Sequence, residues 1–191
     1  MVDSKRPLPF VRLAYELNRT PTGKRTATPV KKAARYFAYA NDREAERRGE
    51  QRSHWYGPDG SKHEHEAVLA WATAGAKAHR YTFQALLSLP EGRLSAEDFT
   101  RAMREGKYID DFRLMSHDDT KYSHAHVLFF GDSRLEKVQF SDWYERIRQS
   151  LAALEEATLQ AEDQRPDEDL TQQQSCLHTG EQTIHGGLDL I

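Results

Sequence analysis

His117-Asp118-Asp119-Thr120-Lys121-Tyr122-Ser123-His124-Ala125-His126 is the stretch on which the fold turns. His124 and His126 stand two apart, so on a β-strand both rings leave the same face while Ala125 and Val127 leave the other. The run continues as Val127-Leu128-Phe129-Phe130 and stops at Gly131-Asp132-Ser133, a β-branched and aromatic segment closed by turn residues. Arg113-Leu114-Met115 reads as the preceding strand, and Asp118 to Ser123 as the polar connection that folds it back. Such a hairpin carries His117 across to the other two imidazoles. Three neutral imidazoles with open positions suit a divalent transition metal such as zinc, or a looser magnesium or manganese site completed by water and phosphate. Asp119 is positioned to take the second ring N–H of a ligand histidine and fix its tautomer.

Outward from the hairpin, the pattern alternates helix and strand. Thr28 can cap a helix from Pro29 to about Arg48, with Val30, Ala33, Ala34 and Phe37 at helical spacing. Trp55 to Ser61 has turn composition, Glu64 to His79 reads as a second helix, and Arg80 to Leu89 as a strand. Ser95 caps a helix from Ala96 to about Gly106, with Asp98 in its first turn. A last amphipathic helix runs from Ser141 to about Ala157, with Trp143, Ile147, Leu151 and Leu154 inward. The expected fold is α+β, helices packed on an antiparallel sheet that carries the histidines. His63-Glu64-His65-Glu66 lacks the spacing of a zinc protease helix and reads as a solvated helix start.

The decapeptide resembles the third motif of the plasmid mobilisation relaxases of the HUH endonuclease superfamily, H-x-D-x-x-x-P-H-u-H with u hydrophobic. Ser123 stands where that pattern has proline. Tyr81 to Gly92, an apolar strand ending in Ser88 before a Pro90 and Gly92 turn, is similar to the second motif. Thr28 to Phe37, with Tyr36 after a short amphipathic segment, resembles the first. The resemblance implies an HUH endonuclease-like fold and an enzyme that nicks one strand of plasmid DNA at an origin of transfer. It implies Tyr36 as nucleophile, a divalent metal on His117, His124 and His126, a catalytic role for Asp119, and Ser88 against the DNA. Single-stranded DNA and accessory mobilisation proteins are the implied partners. Tyr39, Tyr15 and Tyr122 are further candidates for the nucleophile. A replication initiator or transposase of the same superfamily would take its tyrosine downstream, where only Tyr144 stands; a noncatalytic DNA-binding module is the remaining alternative.

Charge is divided along the chain. The net of −3 over 191 residues hides nine acids against Arg165 alone in residues 151–191, which leaves 26 bases against 21 acids before them. Residues 1–53 carry 13 Lys and Arg against six Asp and Glu, with Lys24, Arg25, Lys31, Lys32 and Arg35 just ahead of Tyr36. Such a run suits a phosphate-tracking surface. The expected organisation is an N-terminal arm over 1–24, a nuclease-like domain over 25–158 and an acidic, disordered tail over 159–191. The single Cys176 excludes an internal disulfide framework, and the lack of a signal peptide or long apolar run points to a cytoplasmic protein without membrane insertion.

Overall fold

The computed structural model describes residues 7–119 and 121–164. The chain divides into units Met1–Leu159 and Gln160–Ile191, and of the second only residues 160–164 are described. Six strands form one antiparallel sheet: β1 (Phe10–Leu17), β2 (Trp55–Tyr56), β3 (Lys62–His63), β4 (Tyr81–Ser88), β5 (Phe112–His117) and β6 (His124–Gly131), ordered β1-β4-β6-β5-β2-β3. Among the described residues five helices accompany it: α1 (Thr28–Tyr39), α2 (Arg43–Arg48), α3 (His65–Ala78), α4 (Ala96–Glu105) and α5 (Lys137–Asp163).

Strand periodicity separates two cores. Phe83, Ala85 and Leu87 of β4, with Ala125, Val127 and Phe129 of β6, bury against Phe99 and Met103 of α4 and Trp143, Ile147 and Leu151 of α5. The alternate residues Met115 and Leu128 bury on the other face against Val30, Ala34 and Phe37 of α1 and Val68 and Ala72 of α3. His124 and His126 share parity with Leu128, and His117 with Met115, so all three imidazoles leave the α1 and α3 face. The hairpin and the α+β antiparallel sheet therefore stand as the sequence suggests. So does the Ser95 cap, a reciprocal pair with Asp98.

Several boundaries differ. The expected helix over 29–48 is two helices, because Ala40 takes a left-handed φ of 54° and Asp42 caps α2 by accepting from Glu44 and Ala45 N–H, each at 2.9 Å. Thr28 opens α1 rather than capping it; Thr26 Oγ1 accepts its N–H at 3.2 Å. Trp55 and Tyr56 form a strand, with fully buried Trp55 paired to Met115, and the turn lies just beyond, at Gly57 to Ser61. Residues 10–17, assigned to an arm, pair along their whole length with β4 from Phe10↔Ser88 to Leu17↔Tyr81. Most of β1 is exposed, so its sequence lacks the apolar alternation that marks a half-buried strand. The last helix starts at Lys137 and continues through residues 159–163, which the expected tail included. Beyond residue 164 the tail, Cys176 and the expectation of disorder lie outside the described residues.

Gly75 lets α3 sit close to the sheet. A β-carbon there would collide with the Phe130 ring, itself held between Trp71 (4.9 Å between ring centres) and His79 (6.2 Å). Gly75→Ala is expected to lower stability by about 1–3 kcal/mol despite alanine's better helix propensity, read as a reduced urea midpoint with unchanged slope.

Candidate metal and nucleic-acid site

Register aligns the site in rows across four strands. Phe10, Ser88, His124 and His117 form one row, and Arg12, Leu86, His126 and Met115 the next. The imidazole centres are 5.2 Å apart for His117 and His124, 5.5 Å for His117 and His126, and 5.4 Å for His124 and His126. Three imidazoles sharing one tetrahedral cation at about 2.0–2.1 Å per nitrogen have ring centres about 5.3 Å apart. The backbone thus sets a separation suited to a shared ion. The aim of the nitrogens is less complete: among the described residues no group of three or more His, Cys, Asp or Glu stands ready to hold a metal.

His117 supplies the observation that tests the fit. It is 3% exposed, and neither ring nitrogen has a hydrogen-bond partner. A buried imidazole normally satisfies at least one nitrogen, so the two orphaned nitrogens of His117, beside two further histidines, are of the donor type that suits a cation. His124 donates Nδ1–H to the Tyr122 carbonyl at 3.2 Å, which in the neutral ring leaves Nε2 with the lone pair. His126 stacks on Phe37 with ring centres 4.2 Å apart and planes at 16°.

Burial and neighbouring charge keep the His117 and His126 rings neutral. Burial, then the Arg52 guanidinium and His124, brings His117 down to about 4 against the opposing pull of Asp119 and Asp118. Burial, then His117, His124 and Arg52, brings His126 down to about 3. Both rings bind protons more readily in the unfolded chain, with a pKa near 6.5, than in the fold. Their contribution to stability is therefore complete above about pH 7 and is lost as the pH falls through 6.5 towards 4. Between pH 7.5 and pH 5 the metal-free protein is expected to lose about 4 kcal/mol, measured by urea unfolding at each pH; a flat profile would count against buried neutral rings.

Asp119 does not take a histidine N–H. Arg52 Nε (2.8 Å) and Nη2 (2.5 Å) both donate to its Oδ2. Burial pushes the Asp119 carboxyl up, but the Arg52 hydrogen bonds and charge outweigh it, aided by His117 and His124, and hold it below its ordinary value. Arg52 is the site residue that the sequence does not announce. It lies 67 positions from Asp119 and is anchored at the end of α1 by its N–H to the Ala38 carbonyl, 2.8 Å.

The tyrosines separate by face. Tyr36 is 49% exposed on α1, its ring centre 6.2 Å from that of Phe37, the residue stacked on His126. Tyr39 is buried edge-on against His65 at 5.1 Å, and burial, then Glu66 and Glu46, raises its pKa. Tyr15 packs with Tyr81 and Phe83, and Tyr144 with Phe140, on the face opposite the histidines. Tyr122 is exposed in the hairpin connection. Ser88 lies directly opposite His124.

The basic run splits. Lys31, Lys32 and Arg35 line, with Tyr36, a groove of about 1050 Å³ floored by Gln84 and Glu16. Arg35 also pairs with Glu46 at 3.4 Å. Lys24 and Arg25 lie elsewhere: Lys24 closes a turn onto Thr20, and Arg25 donates to the His79 carbonyl at the Leu17↔Tyr81 end of the sheet. That end is about 20 Å from the Ser88 end along β4. His65, expected at a solvated helix start, is instead buried and accepts from Trp55 Nε1 at 3.3 Å. The chain matches no protein-family model, no curated protein and no solved structure.

Proposed function

We propose that the chain is a relaxase of the HUH type, which nicks one strand of plasmid or mobile-element DNA at an origin of transfer through a tyrosine–DNA intermediate. The observation that carries this is the triangle of imidazoles, with His117 unsatisfied, under the helix that presents Tyr36. His117, His124 and His126 are the residues to hold a divalent cation, magnesium or manganese in function, or zinc or another transition metal by donor type. When bound, such an ion supplies polarisation of a nonbridging phosphate oxygen.

The remaining work falls to side chains. Lys31, Lys32 and Arg35 neutralise the strand's phosphates in the groove, and Ser88 offers a hydroxyl beside His124. Tyr36 Oη attacks phosphorus, the bond from phosphorus to the 3′-oxygen breaks, the phenolic proton passes to solvent and the leaving oxygen takes one up as a 3′-hydroxyl. The 5′-phosphotyrosine keeps the phosphoester, so the reverse attack can reseal the strand. Arg52 holds Asp119 beside the rings and adds positive charge where the phosphate lies. The position of Tyr144 on the other face favours this arrangement over an initiator or transposase with a downstream nucleophile. No helix among the described residues is long and apolar enough to cross a membrane, and a cytoplasmic site of action is part of the proposal.

The test is incubation with pooled single-stranded oligonucleotides of random sequence, labelled at the 3′ end, with magnesium or manganese, followed by a denaturing gel. A labelled band at the mass of the protein plus a DNA segment supports the relaxase. DNA binding without nicking or adduct in either metal replaces it with the binding module.

A further inference from the structure

We infer that the chain forms a two-fold dimer by pairing β1 with β1 of a second copy, antiparallel and centred on Ala14, so that two six-stranded sheets become one. The inference stands apart from the catalytic reading. β1 ends the strand order, and among the described residues no strand lies on its outer side. Asn18, continuing the register of Leu17↔Tyr81, donates its N–H to the Arg80 carbonyl at 3.0 Å. Residues of even number in β1 therefore turn their backbone groups to β4, while Val11, Leu13, Tyr15 and Leu17 turn theirs outward.

Eight residues of open ladder are long for an unprotected edge, and Phe10, Tyr15 and Leu17 add exposed apolar side chains to it. What selects a second copy over another strand is self-complementary charge. Centred on Ala14, the pairing sets Arg12 opposite Glu16 of the second copy, and by symmetry Glu16 opposite its Arg12. Both side chains are exposed on the histidine face, and neither has an ion-pair partner among the described residues. The same register puts Leu13 against Tyr15 and Val11 against Leu17, with outward N–H and carbonyl groups facing each other in hydrogen-bonded pairs. Arg12 and Glu16 then fall at the non-hydrogen-bonded positions, where side chains approach most closely. Centring on Arg12 or on Glu16 would oppose like charges, and centring on Leu13 or Tyr15 would lose the ion pairs. Pro9, the next outward position, has no N–H and closes the ladder. The two-fold axis stands perpendicular to the sheet, so both histidine clusters open on the same side, roughly 30 Å apart by strand spacing and rise.

Sedimentation equilibrium of the full chain, from roughly 1 to 100 µM, tests this. The expected result is a reversible dimer whose dissociation constant rises at least tenfold in Arg12→Glu and in Glu16→Arg, and returns in the charge-exchanged double variant Arg12→Glu with Glu16→Arg. Circular dichroism checks that each variant is folded. A wild-type monomer throughout the range overturns the inference, whether the edge stays open or is closed by the chain's own terminal residues. Single variants as dimeric as wild type move the interface elsewhere, and a double variant that stays monomeric overturns the register.

Discussion

Tyr36→Phe is expected to abolish the covalent protein–DNA adduct, with strand cleavage lower by at least about a thousandfold, because no other group replaces a lost nucleophile. DNA affinity should stay within about threefold, since the ring remains and the basic residues around it in the groove are untouched. Stability should change by no more than about 0.5 kcal/mol, because the side chain is half exposed and its hydroxyl is not part of the core. Tyr122→Phe is the informative comparator, since Tyr122 is an exposed tyrosine in the connection between His117 and His124. It should leave the adduct intact. If the adduct disappears in Tyr122→Phe and survives in Tyr36→Phe, the nucleophile belongs to the hairpin connection and α1 serves only as a cover. Adduct formation by denaturing gel and binding by fluorescence anisotropy separate these outcomes.

The parts of this fold written in local pattern were legible in the sequence, and the parts set by distant partners were not. The two-residue spacing of His124 and His126, followed by a β-branched and aromatic run, specified a strand and the face its rings take. The Ser95 and Asp98 pair specified a helix start because both partners lie within one turn. By contrast β1 is a strand through its pairing with β4, some 70 positions away, and its own exposed residues carry little alternation. Trp55 has the local composition of a turn because Gly57, Pro58 and Gly60 follow it, yet its ring is fully buried with residues of α1. At the site, the convergence of the three histidines was readable but its surroundings were not. The local pattern offers Asp119 a histidine N–H, whereas the tertiary fold brings Arg52 to it, and a guanidinium gives a carboxylate a stronger partner than a neutral imidazole. The basic residues from Lys24 to Arg35 read as one run, but a turn takes Lys24 and Arg25 to the Leu17↔Tyr81 end of the sheet while α1 carries Lys31, Lys32 and Arg35 over Glu16 and Gln84.

The histidines can be tested without knowing the DNA sequence. His117→Ala and His126→Ala are each expected to weaken divalent-cation binding by about 10–100-fold or more, since each removes one of three donors. The linkage to folding makes the effect large. At a cation concentration 100 times its dissociation constant, wild type gains about 2.7 kcal/mol, whereas a variant binding 100-fold more weakly gains only about 0.4 kcal/mol. Without metal the two variants should differ from each other. His117→Ala removes a ring whose nitrogens are buried without partners, so the lost packing is partly offset by relief of an unsatisfied polar group. His126→Ala removes the stacking partner of Phe37 and loosens α1 over the sheet, which adds a cost that metal cannot restore. Urea unfolding with and without manganese, together with calorimetric titration, reads both terms. Equal cation affinity in wild type and both variants would remove these residues from any metal site and, with it, the basis for assigning phosphate chemistry to this face of the sheet.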